Sequence, residues 1–177
     1  QNRGITGKGL TISKKQAEKA NQRIAELGLE GKVAVEYASY ETLTGTYDKV
    51  VSVGMMEHLT DAEYPICMRL IAERLTPQGR GLVHFIGYNG PKNESDPFAQ
   101  KHIFPGGYIP ALSEVAAAIE RSGLVISDLE VLPLHYAETL RACRHRFLAN
   151  WDKAKAIRGE EFCRMWEFYL AGSEAAF

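Results

Sequence analysis

Between Tyr47 and Val53 the chain reads Tyr-Asp-Lys-Val-Val-Ser-Val and then stops at Gly54. A short β-branched run closed by glycine reads as a buried strand of a parallel sheet. Parallel strands need crossovers between them, and a helix is the usual one. The flanking sequence supplies such crossovers. Ser13 opens a helical pattern in which Ala17, Ala20, Ile24 and Leu27 recur at spacings of three and four. Ser13 suits the N-cap of that helix and Gly28 its C-terminal stop. Val33, Val35 and Tyr37 alternate with Ala34 and Glu36, as in a strand. Residues 61–75 place Tyr64, Cys67, Leu70, Ile71 and Leu75 on one helical side, Pro77-Gln78-Gly79 marks a turn, and residues 80–87 form another apolar strand. Residues 112–121 read as helix and 124–132 as strand. The tail holds two helices, the last with Phe162, Met165, Trp166, Tyr169 and Leu170 at helical spacing. Strands alternating with helices predict an α/β fold with a mostly parallel sheet and helices on both faces. The 177 residues suit one domain, and 45% apolar content suffices for its core.

Charge narrows the partners. With 21 basic and 22 acidic residues the net charge is −1, whereas nucleic-acid binding wants a basic excess. Cys67, Cys143 and Cys163 are scattered and odd in number, which fits reduced thiols in the cytoplasm and no zinc site. No run of about 18 apolar residues predicts a membrane span, and no signal peptide is seen. The start at Gln1, without methionine, reads as a fragment of a longer chain.

In open α/β sheets ligands bind beyond the carboxyl ends of the strands. Three stretches meet that condition: residues 9–16, 38–41 and 54–58. In the last, Glu57 and His58 stand side by side where a strand ends. A carboxylate there serves a pocket as general base or ligand orienter, or simply complements a helix start. His84 sits among Leu82, Val83, Phe85 and Ile86, as a satisfied core residue or as a polar group sharing a cavity with the Gly54 strand end. Tyr136 opens a helix and either packs on the sheet or brings a hydroxyl to that cavity. Tyr40 offers a ring for stacking on a purine, and Glu41 an acceptor for an exocyclic amine. Thr11, Ser13 and Gln16 read first as capping residues at a helix start. Residues 88–107 are rich in Gly, Pro, Asn and Asp without a period, and a loop that long is usually functional. Arg141, Arg144, His145 and Arg146 make a basic cluster, either a solvated helix face or a contact for anionic headgroups. No dinucleotide fingerprint, P-loop, zinc-protease or serine-hydrolase motif occurs.

Five stretches together carry a family resemblance: GLTISKKQ (9–16), YDKVVSVGMMEHL (47–59), GLVHFIG (81–87), DPFAQKHIFPGGYIPAL (96–112) and LHYAETLRACRHRFLANW through RMWEFYL (134–170). The chain resembles the cyclopropane-fatty-acyl-phospholipid synthases and mycolic acid cyclopropane synthases. That resemblance implies a class I S-adenosylmethionine methyltransferase fold, Rossmann-like, over residues 1–177. It implies methyl transfer from S-adenosylmethionine to a cis double bond of a phospholipid acyl chain, with bicarbonate as the base that lets the ring close. A related enzyme forming a methyl or methylene branch, or methylating a small molecule, is the alternative. Carried over position by position, Glu57, His84, Ile86 and Tyr136 match the bicarbonate cradle, Ile86 through its backbone N–H. Thr11, Ser13 and Gln16 match the segment beside the methionine and ribose, and Tyr40 and Glu41 the segment beside the adenine. Phe104, Gly106 and Tyr108 lie in the loop over the acyl site. No metal is implied. A cytoplasmic protein peripheral at the inner membrane is expected, and a homodimer is compatible. The resemblance also places a first strand, a glycine-rich cofactor loop and a bicarbonate-holding cysteine before Gln1.

Overall fold

Two pairs of parallel strands organise the chain in the computed structural model, which describes residues 4–132 and 134–177. β1 (Gly7–Thr11) pairs with β2 (Val33–Tyr37) in register Gly7 to Val33 through Thr11 to Tyr37. The crossover is α1 (Lys14–Glu26). Its ends behave as the sequence predicts. The Ser13 side chain accepts from the Gln16 N–H. At the other end the Gly28 N–H donates to the Ala25 carbonyl and the Leu29 N–H to the Ile24 carbonyl, both at 3.0 Å. This double reversal places Gly28 at φ 62°, a left-handed backbone that glycine adopts without a Cβ penalty. Asn21 exchanges two hydrogen bonds with the backbone of Val35, 2.7 and 3.0 Å long, which tie the helix to the strand.

β3 (Tyr47–Val53) pairs with β4 (Leu75–His84) across α2 (Tyr64–Arg74). The pairing runs from Tyr47–Leu75 to Lys49–Arg80, so β3 advances two residues while β4 advances five. Residues 76–79 bulge out, and the expected Pro77-Gln78-Gly79 turn therefore lies inside β4 rather than before it. Gly79 is required there: a Cβ would meet Leu75 Cδ2 and the Thr76 carbonyl oxygen, each at 2.9 Å.

The expectation of a fully buried β3 is corrected. Val50 and Val83 pack on a cluster of Met56, Leu59, Tyr64, Cys67, Met68, Ile71, Val115 and Ala118. The alternate residues Val51, Val53 and Leu82 point the other way and are 67%, 64% and 55% exposed. Alternation puts successive side chains on opposite faces, and α2 and α4 (Leu112–Arg121) supply apolar partners to one face only. Val115 and Ala118 on α4 complete that cluster.

Two further expectations change. Residues 124–132 form no strand; Leu129, Val131 and Leu132 are 56%, 52% and 46% exposed. Alternating apolar side chains suit a strand, but a strand exists only where another backbone pairs its N–H and C=O groups. The long loop after β4 contains α3 (Pro97–His102), which starts with Pro97 after an Asp96 cap whose carboxylate accepts from Phe98 and Ala99. The two ends of the loop are clipped together: the Tyr88 N–H donates to Pro110 at 2.8 Å, and the Leu112 N–H to Tyr88 at 3.2 Å.

The described residues divide into two compact units, one of residues 4–95 with 106–125 and one of 96–105 with 126–132 and 134–177. The second unit is helical. α5 (His135–Ala149) is followed by α6 (Trp151–Ala176), which Gly159 kinks at φ 83°. Cys163 and Leu170 are the buried positions of α6. Phe98 meets Phe168, and Phe104 meets Tyr169, edge to face at 5.0 and 6.1 Å. Glu174 accepts from Arg141 at 2.8 Å and from Arg144 at 3.1 Å, joining α6 to α5. Among the described residues no helix is long and apolar enough to cross a membrane.

Candidate active site

The parallel β3–β4 pair brings two strand ends side by side. Val53 stands opposite His84, and the Gly54 N–H donates to the His84 carbonyl at 2.9 Å. Gly54 turns the chain at φ 63°, and a single 3-10 turn, Met56–His58, follows. Met56 is wholly buried in the core cluster, which anchors the turn. Glu57 is thereby presented at the mouth of the strand pair.

The Glu57 carboxylate is held at one oxygen and bare at the other. Its Oε1 accepts from the Ile86 N–H at 2.7 Å, across 29 residues of sequence. Its Oε2 is inaccessible to solvent and has no hydrogen-bond partner among the described residues. A buried carboxylate oxygen without a partner is costly, so it marks a place where a donor from outside the chain fits. The Ile86 N–H, which the resemblance aims at an anion, here orients Glu57. The backbone carbonyl of Glu57 accepts in turn from the Tyr108 N–H at 3.1 Å.

His84 is exposed at the end of β4 and shares the open face with Val53, so the reading of a satisfied core histidine does not hold. Tyr136 belongs to the second unit, in the first turn of α5, where its ring lies 5.1 Å from that of Phe177. Phe104 is also in that unit and half exposed, while Gly106 and Tyr108 are in the first. Gly106 takes φ 79°, again left-handed.

The candidate cofactor residues cluster at the carboxyl ends of β1 and β2. Thr11 stands opposite Tyr37, and the Ala38 N–H donates to the Thr11 carbonyl at 3.0 Å, so residues 11–16 and 38–41 adjoin. Thr11 Oγ1 donates to Gln16 Oε1 at 2.7 Å and accepts from the Ser13 N–H at 3.2 Å. Tyr40 and Glu41 form a short turn capped by Ser39, whose hydroxyl accepts from the Glu41 N–H. The Tyr40 ring packs on the core cluster, and its hydroxyl is buried without a partner among the described residues. Burial, with smaller contributions from Cys67, Glu41 and Glu63, pushes that phenol up to about 12. Glu41 is exposed. Tyr40 and Glu41 also line a shallow groove with Ile66, Arg69, Leu70 and Glu73.

Sequence reasoning passed over Glu114, Lys92 and Asp61, which the first unit gathers around Tyr108. The readable signal was a Glu at the third position of a helix, the half of a capping box that reaches back to the cap N–H. In the basic cluster of α5, Arg141 and Arg144 are engaged by Glu138, Glu167 and Glu174. His145 and Arg146 remain exposed.

The profile of the family described as mycolic acid cyclopropane synthetase matches residues 1–177. The tuberculostearic acid methyltransferase UfaA1 of Mycobacterium tuberculosis is 34% identical over 99% of this chain and 42% of its own length. The cyclopropane-fatty-acyl-phospholipid synthase of Escherichia coli K12 is 34% identical over 96% of this chain and 43% of its own length. The chain thus spans less than half of either relative. The crystal structure of the mycolic acid cyclopropane synthase CmaA1 complexed with SAH and CTAB superposes with a TM-score of 0.87 at 28% identity, covering 97% of this chain and 65% of that one.

Proposed function

The chain belongs to the mycolic acid cyclopropane synthetase family and has the α/β fold of S-adenosylmethionine-dependent methyltransferases; from that premise we propose that it forms part of an enzyme that methylates a cis double bond of a phospholipid acyl chain and closes a cyclopropane ring. The observation that carries this reading is the Glu57 carboxylate, pinned at Oε1 by the Ile86 N–H and buried without a partner at Oε2.

An alkene has no lone pair. When its π electrons take a methyl group from a sulfonium, the new C–C bond leaves a carbocation on the other alkene carbon. Ring closure joins the methyl carbon to that carbon and releases one proton, so the lipid gains one carbon and two hydrogens. When bound, S-adenosylmethionine would supply the methyl group and bicarbonate would accept the proton. The chain's own groups fit both. Bicarbonate carries one O–H, and Glu57 Oε2 is a buried acceptor without a donor. His84, exposed at the neighbouring strand end, supplies a ring N–H for an anion oxygen. Tyr136, with its phenol, is proposed as a further hydrogen-bond donor to the same anion. Residues 11–16 and 38–41 lie where open α/β sheets bind ligands. Thr11, Ser13 and Gln16 are assigned to the methionine and ribose end, and Tyr40 and Glu41 to the adenine. Phe104, Gly106 and Tyr108 are assigned to the acyl chain.

A fixed carboxylate contributes by orientation. It holds its partner before reaction rather than recruiting it during reaction. Exclusion of water from such a site protects a carbocation from capture. Both units are assigned to one catalytic domain, peripheral to the membrane in the cytoplasm, with lipid met at its surface. UfaA1 is named a methyltransferase rather than a cyclopropane synthase, which favours a second product class, a methyl- or methylene-branched acyl chain.

The test uses the full-length protein with S-adenosylmethionine and vesicles of cis-unsaturated phospholipid, wild type against Glu57→Gln. A saturated product heavier by one CH₂, lost in the variant, is expected. A product that keeps its double bond moves the assignment to branching. No methylated lipid from folded, cofactor-bound protein refutes lipid methylation.

A further inference from the structure

Glu114 is the most heavily engaged carboxylate of the first unit. Its Oε2 accepts from the Tyr108 hydroxyl at 2.7 Å and from the Ala111 N–H at 2.9 Å. Its Oε1 lies 3.4 Å from Lys92 Nζ, which also reaches Asp61 at 2.9 Å and sits 5.7 Å from the centre of the Tyr108 ring. The Glu114 side chain is 16% exposed, whereas Lys92 and Asp61 are 57% and 63% exposed. Burial would raise the Glu114 pKa; the Tyr108 hydroxyl, the Ala111 amide and the Lys92 ammonium outweigh it and hold the carboxyl below its ordinary value. Tyr64, 1% exposed and with no partner for its hydroxyl among the described residues, lies within electrostatic reach of Glu114, Tyr108, Asp61 and Glu57 alike.

This cluster does more than cap α4. It grips the loop segments on both sides of α3: Lys92 on the outgoing side and Tyr108 on the returning side. Tyr108 is at once bonded to Glu114 through its hydroxyl and to the Glu57 carbonyl through its N–H. The Glu57 side chain then meets Ile86. Two hydrogen bonds, linked through the covalent frames of Tyr108 and Glu57, therefore connect Glu114 to the residue whose carboxylate meets Ile86.

We propose that Glu114 is a positioning residue, which holds Tyr108 so that the Tyr108 N–H braces the turn carrying Glu57 and keeps its carboxylate on the Ile86 amide. The proposal rests on the reading of Glu57 given above. A brace of this kind acts on turnover rather than on cofactor affinity, because displacement of a reacting group by about 1 Å can cost on the order of 10²-fold in rate.

The experiment compares full-length wild type with Glu114→Ala, Glu114→Gln, Tyr108→Phe and Glu57→Gln. It measures kcat and KM for S-adenosylmethionine and amide hydrogen exchange at Tyr108 and Ile86. Glu114→Ala is expected to lower kcat at least about tenfold, given the cost of misplacing a reacting group, to leave that KM unchanged, and to speed exchange at both amides. Glu114→Gln, whose amide oxygen still accepts, is expected to recover most of the loss. Tyr108→Phe keeps the helix cap and removes only the hydroxyl link, so it reports on the brace if Glu114→Ala fails to fold. Unchanged exchange in Glu114→Ala or, failing that, in Tyr108→Phe overturns the brace whatever the activity. Faster exchange with full turnover, while Glu57→Gln is inactive, overturns the positioning role alone. Full turnover in Glu57→Gln overturns the reading of Glu57 itself, and the exchange data still report separately on whether Glu114 holds the turn.

Discussion

Glu57→Gln should abolish chemistry while leaving the protein about as stable as before. The carboxylate makes one charge-assisted hydrogen bond, to Ile86 at 2.7 Å, and such bonds contribute about 1.5–3 kcal/mol. Glutamine retains an oxygen acceptor for the same N–H, as a neutral bond of about 0.5–1.5 kcal/mol. The substitution thus loses roughly 1 kcal/mol there. At Oε2 it exchanges a buried, unpartnered carboxylate oxygen for a buried, unpartnered amide NH₂, and each carries a penalty of about 1–3 kcal/mol. The exchange at Oε2 is therefore close to neutral, and the net change stays within about 1–2 kcal/mol, on the destabilising side. Turnover should nevertheless fall by about 10²–10⁴, the usual contribution of a positioned base, because glutamine's NH₂ cannot accept the bicarbonate O–H that Glu57 is proposed to hold. Thermal unfolding and lipid methylation measured on the same preparations check both halves. A Tm lowered by more than about 8 °C, beyond what 2 kcal/mol accounts for in a chain of this size or larger, would show that the carboxylate is part of the scaffold. Its unpartnered oxygen would then not mark a ligand site.

Two other outcomes follow from particular contacts. Gly79→Ala should destabilise by about 1–3 kcal/mol, because the added Cβ would meet Leu75 and the Thr76 carbonyl at 2.9 Å; an unchanged denaturation midpoint would show that the β4 bulge gives way freely. Burial pushes the Cys67 thiol up to about 11, so alkylation of native protein at pH 8, mapped by peptide mass, should label the partly exposed Cys143 and spare Cys67 and Cys163. The same shift sets a sign. The folded state keeps its proton while the unfolded thiol, near its ordinary value of about 9, releases it, so this contribution is present below pH 9 and is lost as pH rises toward 11. Stability that is flat across that range would contradict the burial of Cys67.

Local chemistry was legible in the residues themselves. The Ser13 cap, the Gly28 stop and the limits of the helix at 112–121 each depend on a few consecutive side chains, and the structure has them in place. Glu57 at a strand end was legible for the same reason, since a β-branched run followed by Gly54 dictates where the chain must turn. Family membership was legible too, because its motifs recur in order along almost the whole chain. Tertiary structure alone decided the rest. Alternation of apolar residues at 124–132 could not say whether a partner backbone would pair with them. The exposure of Val51, Val53 and Leu82 depended on which face α2 and α4 would cover. The bond from Ile86 to Glu57 spans 29 residues and requires the β3–β4 register to bring those positions together. Glu114 drew no notice in the sequence, because only the returning loop places Tyr108 against it. Periodicity records which residues share one element. Which elements meet depends on register and packing, and the Glu57 site is made of such meetings.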